Sequence, residues 1–348
     1  MRKRIFFIVK QLNVMGSAEL VAVSFASNLN QEYDVFLYSI EKINGGKINP
    51  CYDVNPRVII RSLNLPSDEF EQKDYLDKNG EQIASLLTMS SRENDVFVLF
   101  SDRLINHIQG NVNKILIKGF SHTKEYAHFD RVVFLTRNEF LEEISHDKLL
   151  ANKASYITPF SRFSHNEDFK FHGNKIMCIT RANKKFDSNQ LIELAKGLKE
   201  NGLKFTISVC VEGINVSDFE NEIIENDLDD IIEFKTMHDI KTLYSQSDLF
   251  FYFSKNRHYP LFLVEAMSNS IPVVSCSDNA YAIDILSNVG VSVHSVGEAV
   301  EKIFAIFKDK IKLAKLRFET FEYSKRFVKE TAIKEIKNII ESLVAKYD

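Results

Sequence analysis

From residue 4 onward, apolar runs of strand length alternate with segments whose apolar positions recur every three or four residues. RIFFIVKQL (4–12) is a run of the first kind and AELVAVSFASNLN (18–30) of the second; YDVFLYSI (33–40) returns to the first. RVIIRSL, DVFVLFS, KILIKGFSH and FDRVVFLT continue the strands, with GEQIASLLTMSS and NEFLEEISHDKLL as helices among them. A second series begins at KIMCITR (175–181) and runs through NQLIELAKGLKENG, KFTISVCVEG, FENEIIENDL, DIIEFK, HDIKTLYSQS and DLFFYFS. Strand and helix alternating in this way predict parallel sheets covered on both faces. The polar stretch SHNEDFKFHGN (164–174) separates the two series and reads as the linker. The expected division is therefore 1–165, 174–322 and a helical tail, 323–348, with no sequence repeat between the halves.

The densest stretch runs from Asp248 to Ser275. An aromatic strand ends at Ser254, a loop follows, and Pro260 stands at a first helical position, where its missing N–H costs nothing. LFLVEAM continues the helix, Pro272 blocks it, and VVS is a short apolar strand. A strand, a loop and a helix N-terminus in this order put backbone N–H groups and the positive end of a helix dipole at the carboxyl edge of a sheet, which suits an anion. Glu265 interrupts an otherwise apolar helix, and a carboxylate there is costly without a partner or a use.

Composition narrows the picture. With 348 residues, 45% of them hydrophobic, the chain can bury two cores. A formal charge of −4 gives no reason to expect nucleic acid. Cys51, Cys178, Cys210 and Cys276 lack metal-ligand spacing and read as buried free thiols, hence a reducing, cytoplasmic setting. No apolar run reaches membrane-spanning length, and the N-terminus is a poor signal peptide. The pair Asp227 and Asp229 lies in a polar loop, so no metal is expected. The loop after the first strand, Val14 to Ser17, is not GxGxxG, which disfavours a nicotinamide enzyme. His107, His128, His146 and His165 read as surface residues.

The Asp248 to Ser275 stretch resembles the signature region of retaining family 4 glycosyltransferases (glycosyl transferases group 1) with the GT-B fold. Ser254, Leu261, Glu265, Ala266, Met267, Pro272, Val273 and Val274 carry the likeness. It implies two Rossmann-like domains with parallel sheets facing across a cleft and a terminal helix crossing back to the first domain. It also implies transfer of a sugar from a nucleotide-diphosphate donor, UDP among the candidates, to a glycan or lipid-linked glycan, without a metal. Polysaccharide synthesis at the cell surface is the setting that follows. The basic helical piece KDKIKLAKLRF adds a candidate peripheral contact with the inner face of the plasma membrane, beside the plainer reading of a solvated helix face.

Site residues follow from both readings. Arg181, with Lys184 and Lys185, lies directly after a buried strand, and cations there suit a diphosphate leaving group. The resemblance puts one Arg and one Lys on the donor phosphates: Phe186-Asp187 favours Lys184, while distance from Arg181 favours Lys185. Gly16 and Ser17, followed by Ala18 and Glu19, match a loop beneath the cleft, or form an ordinary turn. His122 follows a strand where the family has a histidine close to the donor sugar, and Glu265 matches the carboxylate that accepts from the ribose hydroxyls. In place of the family's first motif Glu stands Arg257, and His258-Tyr259-Pro260 replaces a glycine-aromatic-glycine. The exchange implies either a donor with an acidic sugar or a catalytically weak protein that serves as scaffold for another glycosyltransferase.

Overall fold

The computed structural model describes residues 2–65, 75–89, 91–108, 110–121, 123–182, 188–213, 216–236, 239–254, 258–287 and 289–344. The chain forms two compact units, one of Met1–Pro159 with Lys329–Asp348 and one of Phe160–Val328.

In unit 1 the strands are β1 (Arg4–Val9), β2 (Asp34–Glu41), β3 (Ile59–Leu65), β4 (Val96–Leu99), β5 (Asn113–Ile117), β6 (Arg131–Phe134) and β7 (Ala154–Tyr156). Helices α1 (Ser17–Leu29), α2 (Tyr75–Thr88), α3 (Arg137–His146) and α4 (Lys148–Ala151) connect them. The sheet order is β3-β2-β1-β4-β5-β6-β7, parallel throughout. Crossovers cover both faces, which is why β1 and β4 read as continuous apolar runs. Phe6 pairs in register with Phe36 and Phe97. Its ring stacks between theirs at 4.7 and 4.8 Å, so part of the phenylalanine richness is a cross-strand ladder. Strand β7 was not foreseen: three half-buried residues carry no periodicity.

Unit 2 repeats the plan with β8 (Lys175–Ala182), α5 (Ser188–Glu200), β9 (Thr206–Gly213), α6 (Val216–Glu225), β10 (Ile232–Lys235), α7 (Ile240–Gln246), β11 (Leu249–Tyr252), α8 (Leu261–Ser268) and β12 (Val273–Ser275). Then come α9 (Ala280–Leu286), β13 (Val291–Ser292), α10 (Val296–Lys308) and α11 (Lys310–Ser324). The order is β10-β9-β8-β11-β12-β13, again parallel. Helix α9 and β13 are additions to the sequence reading. Pro260 caps α8 rather than opening it, and the helix stops at Ser268, before Pro272, where Ser270 turns left-handed at φ 60°.

The polar stretch 164–174 does not link the units. Its backbone is tied down within unit 2: Asn166 N–H donates to the Ser268 carbonyl, Ser270 Oγ donates to the Asn166 carbonyl, and His172 N–H donates to Asp248. The chain instead passes between units at Pro159–Phe160, and again at Val328–Lys329. The last helix, α12 (Lys329–Val344), belongs to unit 1. It buries Ala332, Ile336, Ile340 and Leu343 there. Glu335 accepts from Thr158 N–H at 2.9 Å, Glu341 from Tyr33 Oη at 3.4 Å, and Lys337 pairs with Glu32 at 2.5 Å.

His165 is not a free surface histidine. Its Nε2 lies 2.7 Å from the Ser324 carbonyl and its ring packs edge-on against Phe321. His128 and His146 are exposed, and the His107 side chain lies outside the description. None of the four cysteines forms a disulfide; Cys178 and Cys210 are buried, whereas Cys51 and Cys276 are only half-buried.

Candidate functional site

Both sheets reverse strand order once, between β1 and β4 in unit 1 and between β8 and β11 in unit 2. Ligands of open α/β sheets bind at the carboxyl ends of the strands beside such a reversal. In unit 2 that edge comprises the end of β8 and the loop from β11 into α8. Arg181 is the penultimate residue of β8, its backbone in register with Glu212. Lys184, Lys185 and Arg257 lie outside the described residues.

The two flanks of this loop, Ser254 and His258, are held by residues the sequence reading missed. Asn279 caps α9 by accepting from Tyr281 N–H at 2.9 Å, and its Nδ2 donates to the His258 carbonyl at 2.9 Å. Ser277 Oγ donates to the Ser254 carbonyl at 2.6 Å. Tyr259, Pro260 and Leu261 are buried and His258 is half-buried, so the start of α8 is fixed from below. Burial also pushes the Tyr252 hydroxyl pKa up, keeping that neighbour neutral.

Glu265, one turn into α8, is fully buried (0% exposed). Arg162 Nε donates to Oε1, Arg162 Nη2 donates to Oε2 at 2.9 Å, and Tyr244 Oη donates to Oε2 at 3.1 Å. Burial first, and the Glu265 charge second, drive the Tyr244 pKa well above its ordinary value, so it stays a donor. The Arg162 guanidinium also lies over the Phe163 ring at 4.9 Å, and Lys241 approaches the same ring at 5.5 Å. Arg162, Phe163, Asn166, Lys241 and Tyr244 line a cavity of about 360 Å³. Nothing in the local sequence pointed to Arg162 or Tyr244, because each meets Glu265 only through the fold.

In unit 1 the corresponding edge carries Gly16 and Ser17. Gly16 is buried and extended at φ −145°, a conformation open to any residue. Its N–H donates to Tyr52 Oη at 3.2 Å, and that hydroxyl donates to the Val14 carbonyl at 2.8 Å. Ser17 opens α1 and Glu19 is buried in its first turn. Beside β5, Lys118 is buried, with Nζ 2.9 Å from the Ser121 carbonyl and 3.5 Å from Glu139. Ser121 Oγ donates to Asp102 at 2.5 Å. This polar cluster immediately precedes His122, which itself lies outside the described residues. Lys118 and Asp102 were not singled out from sequence.

Among the described residues no group of three or more His, Cys, Asp or Glu side chains is placed to hold a metal. Asp227 adopts φ 54° and its carbonyl accepts from Lys199 Nζ, while Leu228 between the two aspartates is buried in the core. No described helix is long and apolar enough to cross a membrane.

The fold has many solved counterparts. HepE of Anabaena, solved with UDP and glucose, superposes with a TM-score of 0.73 at 14% identity, covering 98% of this chain and 100% of that one. A TarM variant of S. aureus, solved with fondaparinux, alpha-GlcNAc-glycerol and UDP, gives 0.74 at 13% identity, covering 97% and 99%. The pneumococcal O-GlcNAc transferase GtfA, solved with UDP and GlcNAc, gives 0.73 at 10% identity with both chains fully covered. At such identities the likeness establishes the two-unit α/β fold. No curated protein matches the chain by sequence. The family profile described as glycosyl transferases group 1 matches residues 161–341, just over half of the 348 residues and nearly all of unit 2. Its span covers the end of β8, the start of α8 and Glu265, and with more than half of the chain matched the chain belongs to the glycosyl transferases group 1.

Proposed function

We propose that this protein transfers a sugar, with retention of configuration and without a metal, from a UDP-linked or related nucleotide donor to a glycan or lipid-linked glycan in cell-surface polysaccharide synthesis. It works on the cytoplasmic side. The observation that carries the reading is the reversal edge of unit 2, where Arg181 stands next to last in β8 and the start of α8 is tied through the His258 carbonyl to Asn279. A helix N-terminus and a strand-end cation are what a departing diphosphate needs, since both stabilise negative charge as it develops. Arg181 and one of Lys184 and Lys185 hold the phosphates, Glu265 serves the ribose, Arg257 with His258 to Leu261 shapes the sugar pocket, and His122 with Gly16 and Ser17 serves from unit 1. Several solved relatives of the same fold hold UDP, which makes it the first nucleotide to try.

One observation favours a second reading, a catalytically weak partner of another glycosyltransferase. Glu265 is fully buried and its oxygens are engaged by Arg162 and Tyr244, so ribose recognition requires the side chains around it to move. Thermal shift with UDP, GDP and dTDP, with and without EDTA, tests both readings. The transferase reading expects one nucleotide at a hundredfold excess over its Kd to raise Tm by about 5 °C or more, EDTA to change nothing, and Arg181→Ala to abolish the shift. It also expects slow release of sugar from the matching donor. Stabilisation without any turnover supports the partner reading; no stabilisation by any nucleotide refutes the donor site.

A further inference from the structure

Helix α11 has a buried face and an exposed apolar one. The first is buried in unit 2 through Leu313, Arg317, Thr320 and Phe321. On the other, Ile311, Ala314 and Phe318 recur at i, i+3 and i+7, and all three are exposed. Ile311 is 84% exposed and Phe318 52%. The tied-down stretch before β8 adds two more rings. Phe169 lies 6.2 Å from Phe318, and Phe171, 42% exposed, sits under the Lys310 ammonium at 4.5 Å. Two segments far apart in sequence thus bring exposed Phe and Ile side chains to one surface of unit 2, where each costs free energy in water.

The rim of this surface carries lysines on both segments, beside Glu167 and Asp168 on the strap. Lys170, Lys310, Lys312, Lys315 and Lys325 are all exposed. The acidic residues of α11 are countered in place: Glu319 lies 3.7 Å from Lys315 and Glu322 2.5 Å from Lys325. Asp309 is engaged as the N-cap, accepting from Lys312 N–H at 3.0 Å. We propose that this face of α11 and the Phe169–Phe171 strap is a membrane-docking surface that rests on anionic lipid. Phe suits a protein contact as well, but contact surfaces between proteins are depleted in Lys, so the lysines favour lipid. Phe and Ile flanked by lysines, whose alkyl stems lie along apolar surface while the ammonium reaches phosphate, is the composition of an interfacial helix. The inference deepens the lipid-linked-acceptor part of the proposed function, and its test needs neither donor nor turnover.

Vesicle co-sedimentation of the full chain decides it, with phosphatidylcholine alone and with a third phosphatidylglycerol, at 0.1 M and 0.5 M NaCl. The expected result is binding to the anionic vesicles only, weakened at high salt. Ile311→Ser and Phe318→Ser are each expected to lower the partition coefficient about fivefold, in line with the loss of part of a buried apolar side chain. Lys310→Glu with Lys312→Glu is expected to lower it about tenfold or more, since each basic residue near an anionic surface contributes about 1 kcal/mol. The sites are exposed, so melting temperature and any nucleotide-induced shift should stay as in wild type. Equal binding to both vesicle types, or binding indifferent to all these substitutions, overturns the proposal. So does absence of vesicle binding together with a dimer in sedimentation velocity that Phe318→Ser dissociates, which would assign the face to a second copy of the chain.

Discussion

Among its described residues unit 2 buries two carboxylate–arginine pairs, and they are built differently. Asp248, just before β11, accepts from Arg317 at 3.1 Å and also from the backbone N–H groups of His172 and Lys175 at 2.9 and 3.0 Å. Glu265, in α8, accepts from side chains: two nitrogens of Arg162 and the hydroxyl of Tyr244. Both carboxylates are fully buried. A charge solvated by backbone cannot be released without undoing the chain path, whereas one solvated by side chains is released by rotamer changes. Asp248 is therefore a structural anchor for the strap that carries Phe169 and Phe171. Glu265 is a held charge, and its principal partner opens onto a cavity.

The largest effect that would sharpen this contrast is expected at Asp248. Asp248→Ala strands Arg317 in the interior and leaves two N–H groups without their acceptor, at a cost of about 4 to 5 kcal/mol. Thermal or urea unfolding measures it. Replacing the whole pair, Asp248→Leu with Arg317→Leu, should recover little, because the N–H groups of His172 and Lys175 remain unsatisfied. At the other pair, Arg162→Met alone should cost about 3 kcal/mol by leaving a buried unpaired carboxylate, and adding Glu265→Met should restore most of it. Equal recovery in the two double variants breaks the comparison. The smallest effect is expected for Tyr244→Phe, which removes one hydrogen bond to a charged acceptor while Arg162 still neutralises it, about 1.5 kcal/mol.

The alternation of apolar runs and helical periods was enough to expect two parallel α/β units, because strands covered on both faces are apolar without interruption. Short elements were another matter. β7, α9 and β13 are three, seven and two residues long, too brief for a period to show. The stretch 164–174 looked like a linker because it is polar, yet its polarity is satisfied by Asp248 and Ser268, some 75 to 100 residues away. The same reason hid Arg162, which lies 103 positions from Glu265. Glu265 itself was conspicuous as the one charge in an apolar helix; only the fold reveals that arginine and tyrosine meet it. The carboxyl edge of the second sheet was legible from the succession of strand, loop and helix in Asp248 to Ser275, although His122, Lys184, Lys185 and Arg257 fall outside the described residues.

The return of α12 to unit 1 bears on how the protein is made. Unit 2 is one unbroken length of chain, Phe160–Val328, and every residue of its core is present once α11 has been synthesised. Unit 1 begins earlier but lacks Ala332, Ile336, Ile340 and Leu343 until α12 has left the ribosome. The half that is translated first is thus finished last. During that interval α1 and its surroundings expose the apolar seat of the missing helix, the kind of surface on which nascent chains aggregate or recruit chaperones.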